Sequence, residues 1–265
     1  FSLPATLAHI NGWCNEQTRG MIPTILDRVN PSAMSYLLNA IYFKAGWTAK
    51  FDERKTRIEN FTTESGKTVQ LPLMHQTVAT LFLEDSTYSA IEFNYGSGLW
   101  NMTIMLPKEG KTTDDIIDVL ATNHQLRGHY DGSSSTKEEG LYYPYEVDLK
   151  LPRFSTTSDT NGLEGTLTEV LRQMGIRQVF DPNLAQVPNM CEDTNAFISM
   201  MRQKAAIEVN EDGAEASAVT VAEMEATSDN PMEYKATFHA NRPFVYAIQE
   251  ASSGVILFVG KYTGK

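Results

Sequence analysis

Apolar and polar positions along this chain follow two rhythms, one close to a helical turn and one of period two. From Leu7 to Arg19 the apolar residues Ile10, Trp13 and Cys14 share one helical face, and Gly20 supplies a stop. Ser35 to Phe43 is a nearly unbroken apolar and aromatic run, which suits a central strand covered on both faces. Asn39 interrupts it. A buried amide needs hydrogen-bond partners, so Asn39 is expected to cross-link strands or reach a neighbouring helix; the alternative is an Asn merely near the strand end. Strand signals follow at Thr68–Met74, Thr77–Leu83, Ser89–Tyr95 and Leu99–Leu106. Asp114–Leu126 reads as an amphipathic helix with Ile116, Ile117 and Leu120 apolar and Leu126 a further candidate, and residues 131–140 as a polar loop. Glu146–Leu151 alternates as a half-buried strand ending at Pro152. Asn161–Met174 is the clearest helix, with Leu163, Leu167, Val170, Leu171 and Met174 on one face, a capping box at Asn161-x-x-Glu164 and a stop at Gly175. Phe197–Val209 is strand-like, and Phe244–Gln249 with Val255–Val259 form an apolar hairpin. The expected architecture is one α+β domain with more sheet than helix.

Composition narrows the function. With 42% hydrophobic residues over 265 positions the chain can bury a sizeable core. A net charge of -11 argues against nucleic acid as a partner, because phosphate binding needs an excess of Lys and Arg. No run of apolar residues is long enough to span a membrane. The chain opens without Met, at Phe1-Ser2-Leu3-Pro4, from which missing N-terminal sequence is expected. Cys14 and Cys191 lack metal-ligand spacing and read as packed free thiols, with a disulfide open if the protein is exported. His9, His75, His124, His129 and His239 are scattered and read as surface or hydrogen-bonded structural residues, so no metal and no cofactor is expected. No nucleophile elbow, P-loop or dinucleotide fingerprint occurs, and Asp114-Asp115 and Glu138-Glu139 are adjacent only in sequence, so no catalytic residues are assigned.

One segment stands apart. From Ala214 to Ala226 there is no Gly, no Pro and no aromatic residue. Ala214, Ala216, Ala218, Thr220, Ala222 and Met224 alternate with Glu215, Ser217, Glu223 and Glu225, while Val219 and Val221 break the polar set. That is the rhythm of a strand with one face on a core. Yet Gly213 precedes it and Thr-Ser-Asp-Asn-Pro231 follows it, which are loop signals. The residues alone also allow an edge strand or a small-residue helix.

Four motifs in order resolve the choice. Glu208-Val-Asn-Glu-Asp-Gly-Ala-Glu-Ala-Ser-Ala218 resembles the hinge of the serpin family, and Asn39-Ala-Ile-Tyr-Phe-Lys-Ala-Gly-Trp47 its third strand of sheet A. Phe238-His-Ala-Asn-Arg-Pro-Phe244 is similar to the family signature after the bait loop, and Leu257-Phe-Val-Gly-Lys261 to its C-terminal strand. The resemblance runs from Leu7 to Lys261. It implies the serpin fold, with large mixed β-sheets, helices and a mobile reactive-centre loop at about residues 211–231, in a single domain lacking about the first hundred residues of the family's own.

The resemblance also implies a mechanism: suicide-substrate inhibition of serine or cysteine endopeptidases. A protease attacks the loop, and the cleaved loop inserts into sheet A before the acyl-enzyme can hydrolyse. Glu211, Gly213, Ala214, Glu215, Ala216, Ser217 and Ala218 would form the hinge, with small residues facing inward. Family spacing places the scissile bond at Thr227-Ser228, with Met224, Glu225 and Ala226 as alternatives. Asn39, Trp47 and Gln203 would control sheet opening, Gln203 standing where many animal relatives have His. No Lys or Arg lies between Lys204 and Lys235, which favours elastase-like or subtilisin-like targets over trypsin-like ones. A monomer outside the cell or at its surface is expected, and the source is left open, a prokaryotic one included. The alternative is a non-inhibitory serpin acting as a binding, carrier or chaperone protein.

Overall fold

The computed structural model of the chain describes residues 5–33, 35–123, 140–160, 166–189, 196–213 and 234–264. Its elements in chain order are helix α1 (Thr6–Gln17), strands β1 (Tyr36–Phe43), β2 (Arg57–Thr62), β3 (Thr68–Glu84), β4 (Tyr88–Tyr95) and β5 (Trp100–Pro107), helix α2 (Thr113–Asn123), strands β6 (Tyr143–Pro152) and β7 (Phe154–Asp159), helix α3 (Leu167–Gln173), and strands β8 (Met200–Val209), β9 (Lys235–His239), β10 (Phe244–Glu250) and β11 (Ile256–Tyr262). They fall into two compact units, residues 1–43 with 155–207 and residues 44–154 with 208–265.

In the first unit β1, β8 and β7 form a sheet in that order, with β1 and β8 parallel and Asn39 directly opposite Gln203. One face is covered. Cys14, Ile22, Ile25, Leu26 and Ala206 are buried together, and Leu7, Ile10, Leu38 and Ala40 pack against them. The opposite face of β1 is open among the described residues: Leu37 and Asn39 are both exposed. The expectation of a central strand buried on both faces is therefore corrected. β1 is an edge strand of this sheet, half-buried, because an apolar run reports what its side chains need and not which segments reach them. On α1 the buried stripe is Leu7, Ile10 and Cys14, the 3–4 spacing of one helical face, while Trp13 turns outward and is 48% exposed. The described helix α3 is shorter than expected. Thr166 is its N-cap and accepts a hydrogen bond from the Glu169 backbone N–H; the expected start at Asn161 and its capping box with Glu164 lie outside the described residues.

The second unit holds an eight-stranded sheet, β11-β10-β5-β4-β3-β6-β9, with β2 paired to β3. Its middle strands β4, β5 and β10 are buried almost throughout, as their continuous apolar runs require. Ile116 of α2 joins Leu83, Ala90, Met105, Val245 and Ala247 on one face, with Val119 and Leu120 beside it. Ile117 points to solvent, against expectation. On another side Phe154 packs on Phe244, Tyr246 and Tyr262 at centroid distances of 5.8, 5.5 and 4.8 Å. Gly260, the glycine of the C-terminal motif, lies opposite Tyr246; a Cβ there would come within 2.5 Å of the tyrosine ring.

The two segments read as Thr68–Met74 and Thr77–Leu83 are one strand, and His75 and Gln76 between them, both half-buried and on opposite faces, each find a polar partner. Strands β2, β7 and β9 were not legible from the pattern. They are short and polar, and pairing makes them strands: β2 with β3 across the tight turn at residues 63–67, and β9 with the distant β6.

Candidate functional site

β8 ends at Val209, and a tight turn, Asn210 to Gly213, follows within the second unit. The turn closes on itself: the Asn210 N–H donates to the Gly213 carbonyl at 3.0 Å and the Gly213 N–H to the Asn210 carbonyl at 3.1 Å. Residues 45–51 hold it from outside. Backbone N–H groups of Trp47 and Phe51 donate to the carbonyls of Asp212 and Glu211, at 2.8 and 3.0 Å. The indole N–H of Trp47 donates to the Asn210 carbonyl at 2.8 Å. Trp47 is itself 2% exposed and stacks on Tyr95 with centroids 4.1 Å apart, so its ring is fixed before it meets the turn.

Gly213 has φ 124, a conformation side chains rarely adopt. A Cβ at this position would overlap the Ala45 carbonyl and lie 2.6 Å from Gly46 Cα and Trp47 N. Backbone conformation and space both require glycine.

Glu211 is 4% exposed. Its Oε1 accepts hydrogen bonds from the Arg153 guanidinium and the Thr56 hydroxyl, each at 2.6 Å. Burial pushes this carboxyl up, but the bonds from Arg153 and Thr56 outweigh it and hold it below the usual value. Next to it Lys50 pairs with Asp212 at 2.8 Å. Of the residues expected at the hinge and its opening machinery, Trp47, Glu211 and Gly213 meet here. Lys50, Thr56, Arg153 and Asp212 were missed, because nothing local in the sequence links residue 56 or 153 to residue 211.

In the first unit Asn39 and Gln203 are register partners, yet among the described residues no hydrogen bond joins their side chains, and Asn39 faces solvent. The expected cross-link by a buried Asn39 amide is thus corrected: the face that would bury it is open. Gln203 is instead tied by its backbone to Thr160, whose hydroxyl accepts its N–H at 2.9 Å. Ala214, Glu215, Ala216, Ser217, Ala218, Met224, Glu225, Ala226, Thr227 and Ser228 lie outside the described residues. So do His124, His129 and Cys191; Cys14 is a buried free thiol.

Two histidines that look isolated in sequence converge. His75 on β3 and His239 at the end of β9 place Nε2 at 2.6 and 3.0 Å from the two carboxylate oxygens of Asp148 on β6. Burial raises the Asp148 carboxyl, but bonds from both imidazoles outweigh it and hold it below the usual value.

With this geometry in place, the family follows. The profile of the Serpin (serine protease inhibitor) family matches residues 1–264, and the chain belongs to that family. It is 34% identical over 258 residues to the Antitrypsin of Bombyx mori, covering 95% of this chain and 61% of that protein. Its fold resembles the native state of the thermophilic serpin tengpin, at a TM-score of 0.78 and 24% identity over 99% of this chain and 64% of that one. It is also similar to human thyroxine-binding globulin in complex with thyroxine, at a TM-score of 0.74 and 26% identity over 98% of this chain and 64% of that one. The chain spans about three fifths of the length of the curated relatives it matches.

Proposed function

We propose that this chain carries the trapping machinery of an inhibitory serpin, a suicide substrate for serine or cysteine endopeptidases. The observation that carries the reading is the root of the loop. Gly213 sits in a socket open only to glycine, Glu211 is buried and held, and the sequence continues with Ala214, Ala216 and Ala218 at alternate positions. A loop so rooted leaves β8 at a fixed point and offers small residues to whichever strands part for it. β1 and β8 are paired directly, so the gap that an inserted strand would fill is closed.

In this reading the protease nucleophile attacks the Thr227-Ser228 bond, or the bond after Met224, Glu225 or Ala226; the peptide bond breaks, the new amino terminus leaves, and the loop stays esterified to the enzyme. The freed loop then adds as a strand between β1 and β8, gaining ladder hydrogen bonds and burying its small face before the ester hydrolyses. Elastase-like or subtilisin-like proteases fit the residues before the bond. The protein would act as a monomer, without cofactor, outside the cell or at its surface. In a carrier, as thyroxine-binding globulin is by its name, the loop need not insert, and a hinge of small residues would serve no purpose.

The deciding experiment mixes the whole protein with elastase, subtilisin and a Glu-specific protease. The expected result is a complex that survives boiling in detergent. Clean cleavage without complex, and a cleaved form no more heat-stable than the intact one, would return the protein to the carrier class.

A further inference from the structure

Three arginines line one cavity of the first unit. The chain between α1 and β1, helix α3 and the start of β8 enclose a space of about 900 Å³. Arg28 comes from the first of these, Arg172 from α3 and Arg202 from β8. Asp27 is the one carboxylate among the described lining residues. Three arginines against one aspartate leave two positive charges unbalanced, in a chain whose net charge is -11.

The hydrogen-bonding capacity of these groups is unequally spent. Arg202 is the fixed floor: it is 5% exposed, and Asp159 accepts two of its N–H groups at 2.9 and 2.6 Å. Its reach to Asp27 is 3.4 and 3.5 Å, long for a charge-assisted bond. The Arg28 side chain, exposed at the rim, has no hydrogen bond and no ion pair among the described residues. Arg172 lies 5.5 Å from the centre of the Phe180 ring, and its contact with the Glu169 carboxylate is 3.8 Å long. Thr168, a buried residue of α3, accepts the Met201 N–H at 3.1 Å and keeps its own hydroxyl proton to donate. On the acceptor side, Asn30 Oδ1 already takes the Ser32 N–H at 3.0 Å, which leaves Asp27. A positive hollow with donors in surplus over acceptors is complementary to an oxyanion. Leu26, Val29, Ala33 and Met200 give the same cavity an apolar side. Its volume is far more than one inorganic anion fills and lies in the range of small-molecule sites.

We propose that this cavity binds a small phosphomonoester with an apolar body. A phosphomonoester carries a charge of about -1.5 to -2 at pH 7, which matches the two unbalanced positive charges of the lining; a carboxylate would balance only one. Arg28 and Arg172 take the phosphoryl oxygens, Arg202 supplies positive charge from the floor, and the body rests on Leu26 and Met200. The site shares no residue with the turn at Asn210 to Gly213, so it stands whether or not the protein traps proteases.

The test titrates phenyl phosphate into the whole protein and follows the heat of binding. One equivalent should bind. Inorganic phosphate, which lacks the body, and benzyl alcohol, which lacks the charge, should each bind about ten-fold or more weakly. Benzoate should bind several-fold less tightly than phenyl phosphate, as the charge match requires. Arg28→Gln and Arg172→Gln should each weaken phenyl phosphate by about ten-fold, the scale of one charge-assisted hydrogen bond. Both side chains are exposed, so the melting temperature without ligand should stay at the wild-type value and show that the fold is intact. Arg19→Gln removes an exposed arginine of the same unit that does not line the cavity, and it should leave binding unchanged. No binding at roughly 10 mM phenyl phosphate would overturn the site. So would affinity indifferent to both Arg28 and Arg172, an equal loss in Arg19→Gln, or benzoate binding as tightly as phenyl phosphate.

Discussion

The Arg153 guanidinium meets the Glu211 carboxylate at 2.6 Å in a pair of which only one member is hidden: Glu211 is 4% exposed and Arg153 is 47% exposed. The asymmetry sets what each partner's loss would do. Truncating Arg153 strands a buried charge, whereas neutralising Glu211 leaves an arginine that water can solvate.

Arg153→Ala should therefore destabilise the second unit by about 2 kcal/mol, less than for a fully buried pair because Arg153 reaches solvent. Glu211→Gln should cost less. The Glu211 carboxyl is held below its usual value, so its contribution is complete above the unfolded carboxylate pKa and is lost as pH falls through the folded one. Urea midpoints measured from neutral pH down to about pH 3 should fall more steeply in the wild type than in Glu211→Gln. Parallel curves would mean that the pair carries no such linkage.

Gly213→Ala should be among the costliest single-methyl additions in the chain. It forces a Cβ against the backbone of residues 45–47 and a side chain into φ 124. The expected loss is about 1–3 kcal/mol, read as a lower melting temperature, with quenching at Trp47 more accessible as the socket loosens.

Ala216→Arg and Ala218→Glu should turn an inhibitor into a substrate. A long charged side chain on the inward face slows strand addition, so the acyl-enzyme hydrolyses first. The stoichiometry of inhibition should rise several-fold with little change in the rate of first attack. An unchanged stoichiometry would place these residues outside the inserting face.

Gln203 does not titrate, so the inhibition rate should vary little between pH 6 and 8 once the protease's own titration is removed. Gln203→His should introduce a dependence across that window. A steep profile in the wild type would sink the idea that Gln203 removes the pH dependence.

The elements differ in how far they could be read from sequence. β4, β5, β10 and the hairpin to β11 were legible because long apolar runs and a Gly-bearing turn dictate them locally. The expected hinge rests on the family resemblance, because small residues at alternate positions alone also suit an edge strand or a helix, and Ala214 to Ala218 lie outside the described residues. Asn39 was misjudged because its burial depends on a face that other segments must supply. His75 and His239, 164 positions apart, join at Asp148 only because β3, β6 and β9 lie side by side.

By itself, then, the sequence determined where the buried strands β4, β5 and β10 run and that small residues follow Gly213. These are properties of neighbouring residues, set by side-chain size and period. The tertiary structure decided that Glu211 is buried, that Arg153 and Thr56 reach it, that Gly213 admits no Cβ, and that Lys204 reaches the Thr24 carbonyl. Each of these joins residues between about 60 and 180 positions apart or depends on a backbone conformation, and only the folded chain brings such groups within bonding distance.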